Sequence, residues 1–321
     1  MSGAMNGASM TAPALHAQVL DIGGRAARIL RGRAGDAAIP GAGDAETATV
    51  FVHGGVPGLS PYSSGAHIWG EVLARYARDG AVIALDLPGF GGSDGPGTSG
   101  TLGAAQPQYD IDTMADHIDA VVRAAGVRRC HVVAHDTGGL AALLLACRQP
   151  SYIAAVSVVS SVAAAPTGDG VENTALAYPP QPLGSRESQR WALEHLSYAH
   201  HHVSDVLDEC VQAAGQAPQQ AAAVYMRDPA VRHAWNSSVA RAKARLFELC
   251  RGPGVPVPVQ VLWGTHDPTG TIDQALWLYR ILAQRQPMAH FHLINRAGAL
   301  PFREEPEIFH AVTAAFFDAV R

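Results

Sequence analysis

The sequence predicts an α/β fold, with a mostly parallel eight-stranded sheet flanked by helices and a helical cap. Short apolar runs alternate with helical periodicities over residues 49–159 and again over residues 257–320. Such alternation is typical of parallel sheets connected by helices. Between these stretches, residues 163–252 combine helical and Pro-rich segments and show no strand pattern. We therefore expect one sheet whose chain is interrupted once by a helical insertion.

Each element has a local signal. Apolar and polar residues alternate around Gly23 and Gly24, which predicts a hairpin over residues 16–33. Residues 1–15 are expected to be a flexible lead-in, residues 34–47 a surface loop, and the Gly-, Ser- and Pro-rich segment to about residue 108 another loop. Further strands are predicted at 49–52, 81–87, 130–133, 153–159, 257–263 and 289–294. Helices are predicted at 66–77, 111–125, 140–147, 271–283 and 306–320.

The insertion divides the core in two. We expect residues 1–162 and 253–321 to form the core domain, and residues 163–252 to form the cap, with helical runs near 190–201, 203–213 and 231–249. Ligands of open α/β sheets bind at the carboxyl ends of the strands. A cap inserted after a sheet strand is therefore expected to cover such a site.

Composition limits the classes of partner. The chain has 321 residues, 48% of them hydrophobic, and a net charge of −5, which argues against nucleic acid and anionic membranes as partners. A small-molecule substrate is expected, and a homodimer is compatible with the sequence. The N-terminus lacks the basic-then-apolar order of a signal peptide. Four scattered cysteines without metal-type spacing favour a cytoplasmic location, and no cofactor is predicted.

The chemistry centres on the segment from His131 to Leu140. A buried strand runs directly into a buried helix through small residues around Asp136. Such a turn forces one side chain into a strained, exposed position, and the first amides of the helix favour a negative charge there. Asp136 is thus predicted to stand at the apex of a nucleophile elbow, where many enzymes have serine.

A glycine-rich turn follows the strand at 49–52. Gly54 and Gly55 follow this strand in the run HGGVPG. Their backbone N–H groups, together with that of Thr137, are predicted to face Asp136 and to stabilise an oxyanion. The alternative is a plain tight turn, but glycines clustered directly after an apolar strand favour the functional interpretation.

Four motifs resemble the α/β-hydrolase superfamily over nearly the whole chain: HGGVPG at His53, DLPGFGGSD at Asp86, AHDTGG at Ala134 and WGTHDP at Trp263. Their combination in this order is specific for the fold. An aspartate at the elbow resembles the branch of epoxide hydrolases and dehalogenases. HGGVPG and NRAGALPFREEP are more similar to the branch that cleaves carbon–carbon bonds in ring-fission products, whose nucleophile is serine.

The resemblance assigns the catalytic acid to Asp267 and reveals one departure. Ala299 occupies the position of the family's catalytic histidine, in Gly298-Ala299-Leu300-Pro301. One explanation is a substitution that inactivates the enzyme and holds a substrate or intermediate; the other is a natural enzyme that needs no such base. The first is favoured, because the surrounding residues keep the family pattern.

Other histidines are weaker candidates for the base. His135 is expected to point away from the elbow, His266 adjoins the acid, His53 is expected to brace the oxyanion loop, and His292 lies inside a strand. The run from His200 to His202 is interpreted as a solvated surface rather than a metal site, because consecutive histidines on a helix point in different directions.

An ionised aspartate attacks an sp3 carbon and forms an alkyl ester, which water hydrolyses with the help of a base. In the family, cap tyrosines protonate the epoxide oxygen, and Tyr178, Tyr198 and Tyr225 in the cap are the substrate-binding candidates here. At best two of them are expected to face the pocket, and the alternative is that most are packing or surface residues. Trp191 and Trp235 leave a dehalogenase open but not favoured. The resemblance thus implies an epoxide hydrolase-like enzyme, inactive or slow as written. The alternatives are carbon–carbon bond cleavage or another lyase- or isomerase-type reaction, and a non-catalytic ligand-binding relative.

Overall fold

The structure is a computed structural model that describes residues 13–33, 47–96, 109–166, 176 and 178–320. Residues 34–46 of the predicted surface loop, the second half of the loop that runs to about residue 108, and most of the N-terminal lead-in lie outside the described residues. The hairpin, the elbow, the sheet and most of the insertion lie within them.

The described residues contain eight strands: β1 (His16–Asp21), β2 (Ala26–Gly32), β3 (Ala48–Val52), β4 (Ala81–Leu85), β5 (Cys130–His135), β6 (Ile153–Val159), β7 (Val259–Gly264) and β8 (Ala289–Ile294). They form one sheet in the order β1-β2-β4-β3-β5-β6-β7-β8. β2 is antiparallel to both its neighbours, and all other pairs are parallel. The predicted eight-stranded, mostly parallel sheet is confirmed.

Ten α-helices occur in the same residues: α1 (Glu71–Asp79), α2 (Ile111–Ala124), α3 (Asp136–Arg148), α4 (Arg186–Leu196), α5 (Val203–Ala214), α6 (Ala217–Tyr225), α7 (Pro229–Arg251), α8 (Ile272–Ala283), α9 (Pro301–Glu304) and α10 (Pro306–Ala319). The helix predicted at 66–77 is in fact two elements, a 3-10 helix at Ala66–Trp69 followed by α1. Gly70 separates them with φ 54, a left-handed conformation that ends the first helix.

Helices α4 to α7 occupy the insertion between β6 and β7, and its described residues contain no strand. No helical pattern predicts α6, because this helix buries only Gln219 and Ala222 and so lacks an apolar stripe. Its start is nevertheless well defined, because a proline stands within its first two positions. The insertion thus contributes four helices where three were predicted.

Two apolar cores flank the sheet. Alternate residues of β5 contribute to different cores: Val132 and Ala134 pack on the side of α2 and α3, and Val133 packs on the side of α1 and α10. This follows from the two-residue period of a strand. The central strand is therefore buried on both faces, and only its carboxyl end, where Asp136 follows, opens toward a ligand.

Candidate active site

Asp136 is the first residue of α3 and follows directly on β5. Its φ is 45, a left-handed conformation that is strained for a residue with a side chain. At two glycines near Asp136, the surrounding atoms leave no room for a side chain. A Cβ added at Gly54 would lie 2.6 Å from both Asp136 Cβ and His135 O, and a Cβ at Gly138 would overlap His53 O. The chain therefore forms the sharp turn predicted for an elbow.

The carboxylate of Asp136 is placed at the positive end of α3. The residue is only partly buried, and its backbone carbonyl accepts a hydrogen bond from Ser161 Oγ at 2.5 Å. Ser161 follows β6, so the neighbouring strand also holds the elbow in place. A partly accessible carboxylate beside unpaired amides can act as a nucleophile or bind a cation.

Of the three backbone amides predicted to stabilise an oxyanion, one is already hydrogen-bonded and, in the described part of the chain, two are not. The Gly55 N–H donates to Thr137 Oγ1 at 2.9 Å, and Thr137 Oγ1 donates back to Gly55 O at 2.9 Å. Gly55 is thus not a free donor, which corrects the prediction for its amide. The cause is the hydroxyl of Thr137, which reaches back across the turn. Within the described residues, no hydrogen bond engages the Gly54 or Thr137 N–H, so these two amides remain available to an oxyanion.

Asp267 lies in the loop after β7. Its Oδ1 accepts hydrogen bonds from Thr269 N at 2.8 Å and Thr269 Oγ1 at 2.6 Å. Its Oδ2 is buried and makes no hydrogen bond of normal geometry within the described residues. Burial raises the pKa of Asp267 to about 6, against the effect of Thr269 and of the nearby Ser160 hydroxyl, and the charge of Asp136 adds to the increase.

Ala299 follows β8 and is only 3% exposed. Its N–H donates to Leu196 O at 2.8 Å, and its carbonyl accepts a hydrogen bond from His135 Nε2 at 3.0 Å. The adjacent loops are joined by the hydrogen bond from His266 N to Ala297 O at 2.9 Å. The loops that carry Asp136, Asp267 and Ala299 thus meet at the carboxyl end of the sheet. Position 299 is held by backbone hydrogen bonds, and its side chain packs in the apolar core.

Glu304 in α9 was not singled out from the sequence, yet it fastens this loop to the insertion. Its carboxylate accepts hydrogen bonds from Gly298 N at 2.7 Å, Tyr198 N at 2.7 Å and Ala199 N at 2.8 Å. Burial raises its pKa to about 7, against the effect of these three donors. The sequence signal for it is the first glutamate of NRAGALPFREEP, in a segment that already resembles the family.

His53 braces the oxyanion turn, as expected. Its Nδ1 donates to Gly54 O at 2.9 Å and its Nε2 accepts from Leu87 N at 2.9 Å, while burial lowers its pKa to about 4. His135 lies between Trp69 and Phe302, and burial lowers its pKa as well. Each imidazole is hydrogen-bonded to a backbone carbonyl, so we interpret both as positioning groups rather than bases.

The remaining histidines lie apart from Asp136. The exposed His266 stacks on Tyr198 with ring centroids 4.2 Å apart, and His292 lies partly buried in β8. Of the three consecutive histidines, His200 and His201 are exposed, but His202 is buried and contacts Ser197 Oγ at 3.0 Å. The prediction of a solvated run is therefore wrong for His202. Among the described residues, no group of three metal-binding side chains was found.

The cap tyrosines are placed unfavourably for proton transfer. Tyr178 is 87% exposed and Tyr198 is 46% exposed, because both lie in connections between elements rather than on a packed helix face. Tyr225 packs against Tyr109 with ring centroids 5.7 Å apart. Tyr178 and Tyr198 are thus surface residues, which is the alternative that the sequence left open, and their selection as substrate-binding candidates is corrected. Trp235 is buried in the core, and Trp191 stacks on His195.

A further buried tyrosine lies in a loop at the carboxyl end of β3. Tyr62, in the loop between β3 and the 3-10 helix, is 6% exposed, and burial raises its pKa above the usual range, with the charges of Asp136, Cys210 and Asp267 adding to the increase. It was not singled out from the sequence. The available signal was its position, since a loop that follows the carboxyl end of a parallel strand borders the ligand site.

No helix in the described part of the chain has the length and apolar character needed to cross a membrane.

The sequence is similar to a known protein family and to several of its members. The sequence model of the family described as "alpha/beta hydrolase fold" matches residues 48–306. The chain is 26% identical to 2-hydroxymuconate semialdehyde hydrolase of Pseudomonas sp. (strain CF600) over 250 residues, which are 78% of this chain and 79% of that protein. It is 32% identical to epoxide hydrolase 4 of Mus musculus over 92 residues, 29% of this chain and 24% of that protein.

A solved structure supports the same fold. The 2-hydroxy-6-oxo-6-phenylhexa-2,4-dienoate hydrolase of Rhodococcus sp. strain RHA1 superposes with a TM-score of 0.67. The match has 19% sequence identity and covers 95% of this chain and 99% of that one.

Proposed function

Because the chain belongs to the alpha/beta hydrolase fold family, whose members similar to it are hydrolases, we propose that it uses Asp136 as a nucleophile on a small organic substrate. The observation that carries this proposal is the left-handed Asp136 at the start of α3. A carboxylate held there has a free lone pair at the ligand side of the sheet and needs no base to become nucleophilic. The reaction is of the epoxide hydrolase type.

The first half-reaction forms an ester. A carboxylate oxygen of Asp136 attacks an sp3 carbon, and the bond from this carbon to its leaving group breaks. In the second half-reaction, water attacks the ester carbonyl, and the Gly54 and Thr137 amides stabilise the oxyanion. These are the two amides that no other group engages within the described residues.

The second half-reaction lacks its usual base. A histidine at position 299 would stand between Asp136 and Asp267, but alanine cannot accept a proton. We propose that Ala299 is an inactivating replacement of this histidine. The buried Oδ2 of Asp267, which makes no hydrogen bond of normal geometry, supports the proposal, because it is the acceptor that an imidazole N–H would satisfy. The protein is then expected to form the ester and to hydrolyse it slowly.

The test is to restore the base. Ala299→His should raise the rate of steady-state hydrolysis by several orders of magnitude. A gain of this size is expected when the missing member of a group of cooperating catalytic residues is restored. The activity should fall below the imidazole pKa, roughly 6.5 when unperturbed. Ala299→Gln is the matched control, since it adds a polar side chain of similar length without a base, and it should stay inactive. Asp136→Ala in the histidine background should abolish the gain.

The assay panel decides between reaction types. It should contain epoxides, haloacids, esters and ring-fission diketones. If the protein as it stands and the Ala299→His variant are equally active on the best substrate, the histidine is not missing. Asp136 is then a base rather than a nucleophile.

Carbon–carbon bond cleavage is the second candidate. It is favoured by the similarity to 2-hydroxymuconate semialdehyde hydrolase, which extends over most of both chains. In this case Asp136 would accept a proton from the substrate. Turnover of ring-fission diketones, without an ester on Asp136, would identify this reaction.

We also propose a cytoplasmic location, because the four cysteines are free and three of them are buried.

A further inference from the structure

The side chain of Thr137 binds two successive peptides of the glycine-rich turn after β3. The peptide between Gly54 and Gly55 has both of its polar atoms bound. His53 Nδ1 donates to its carbonyl, and its N–H donates to Thr137 Oγ1, each at 2.9 Å. The same hydroxyl donates to Gly55 O at 2.9 Å, in the following peptide. A hydroxyl has one proton to donate and lone pairs that accept, so Thr137 uses both capacities on one glycine.

These bonds restrict a turn that is otherwise free to change its conformation. Gly55 has a φ of 117, in the region that favours glycine, and glycine moves easily between backbone conformations. Val56 N donates to Ser60 Oγ at 2.7 Å, a bond within the same loop. Thr137 is the second residue of α3 and is 5% exposed, so its bonds join the turn to the elbow. The hydroxyl therefore sets how the turn is oriented relative to α3.

The two amides available to an oxyanion belong to the two elements that this hydroxyl joins. The Gly54 N–H lies in the turn, one peptide before those that Thr137 binds, and the Thr137 N–H lies in α3. An oxyanion needs each donor at about 2.7–3.1 Å, so a small reorientation of the turn removes one donor from the charge. Close packing at Gly54 and Gly138 brings the elements together but does not fix the direction of an N–H.

We propose that Thr137 is a positioning residue, whose hydroxyl holds the Gly54 N–H in the direction that stabilises the oxyanion when the Asp136 ester is hydrolysed. The inference rests on the proposed function. It separates the two half-reactions, because attack of the carboxylate on an sp3 carbon creates no oxyanion, whereas attack on the ester carbonyl does. Loss of the hydroxyl should therefore slow hydrolysis of the ester without slowing its formation.

The two half-reactions can be measured separately. The full chain is incubated with 1,2-epoxybutane or 1-bromobutane, whichever labels Asp136 faster, and the adduct is followed by peptide mass spectrometry. The reagent is then removed, and decay of the adduct is measured at pH 9, where hydroxide attacks the ester without a protein base. Hydroxide adds to the carbonyl carbon, the π-electron pair moves to the carbonyl oxygen, and its return expels the alkoxide, which takes a proton from water. The same adduct in the urea-unfolded chain gives the rate without an oxyanion site.

Two substitutions isolate the hydroxyl. Thr137→Val keeps the branched shape and removes the hydroxyl, whereas Thr137→Ser keeps the hydroxyl and serves as the conservative rescue. The ester of the unaltered protein should decay faster than that of the unfolded chain. Thr137→Val should slow the decay by about 10²-fold, the cost of misplacing a group by about 1 Å, or down to the rate of the unfolded chain. Its labelling rate should not fall, which also shows that it is folded, and Thr137→Ser should restore the decay.

The other outcomes overturn the inference in distinguishable ways. If the Thr137→Val ester decays as fast as that of the unaltered protein, or if Thr137→Ser does not restore the decay, the hydroxyl does not position the amide. Equal losses of labelling and decay would make Thr137 a merely structural residue. If the ester of the unaltered protein decays no faster than in the unfolded chain, no oxyanion site acts there. If neither reagent labels Asp136, the proposed nucleophile is wrong, and the role of Thr137 falls with it.

Discussion

At the scale of single residues, the elbow depends on the absence of side chains next to Asp136. Gly54→Ala places a Cβ 2.6 Å from Asp136 Cβ and His135 O, so the turn has to move. We expect it to lower the free energy of unfolding by about 1–3 kcal/mol, the usual range for overpacking, and to abolish alkylation of Asp136.

The matched control is Gly80→Ala, because an added Cβ there meets nothing within 4 Å and φ is 178. It should leave stability unchanged or slightly higher. Urea unfolding of the two variants measures the difference. Equal stabilities would show that the backbone around Asp136 yields easily to a side chain.

Some of the residues around the site could be predicted from the sequence and others could not. Asp136 could be predicted because a strand, small residues and a helix follow one another within ten positions. The engagement of the Gly55 amide could not, since it depends on the orientation of the Thr137 side chain. Tyr62 was missed because a loop has no periodicity, and its position becomes clear only through contacts with α4, more than 120 residues later in the chain.

At the scale of elements, the short helix α9 connects the loop of Ala299 to the insertion through Glu304. Burial raises the pKa of Glu304 from 4.5 to about 7, so the folded state binds more protons than the unfolded state between these values. This residue therefore adds stability below its unfolded pKa, and the contribution is lost as the pH rises toward 7.

Glu304→Gln removes this titration. The free energy of unfolding of the unaltered protein minus that of the variant should decrease between about pH 5 and about pH 7.5. Asp267, whose pKa is also raised, is present in both proteins, so it enters the difference only through its electrostatic interaction with Glu304. Urea unfolding at the two pH values measures it, and a difference independent of pH would contradict the prediction.

The order of elements was largely predictable from periodicity, because long amphipathic or buried segments leave a strong pattern. Elements with weak patterns were not. α6 buries few side chains, α9 has only four residues, and the break at Gly70 depends on a left-handed glycine and on Arg303, whose guanidinium donates to His67 O and Ile68 O.

At the scale of the whole molecule, acid should unfold the chain through a group of neutral histidines around Asp86. His53 and His117 are buried, His67 is partly buried, and burial lowers the pKa of each to about 4. The unfolded state then binds more protons below about pH 6.5. Stability is therefore fully present above this value and is lost as the pH falls toward 4.

His117→Gln tests this prediction at one site. His117 Nε2 donates to Asp86 O at 3.0 Å, and the glutamine amide can donate in its place without titrating. Between about pH 7 and about pH 5, the variant should lose less stability than the unaltered protein, by an amount on the order of 1 kcal/mol or more. Urea unfolding of both proteins at the two pH values measures this. If the two proteins lose the same stability between these pH values, His117 does not contribute to acid unfolding.

The loop at position 299 is anchored by its backbone and by its side chain together. The N–H of Ala299 donates to Leu196 O, its carbonyl accepts from His135 Nε2, and Gly298 packs directly on the backbone at Leu196. The side chain of Ala299, with 3% exposure, belongs to the apolar core, so a substitution keeps the backbone anchors but has to fit the packing around them. Catalytic rate and stability are therefore coupled at this residue, and a mutation that changes one is expected to change the other.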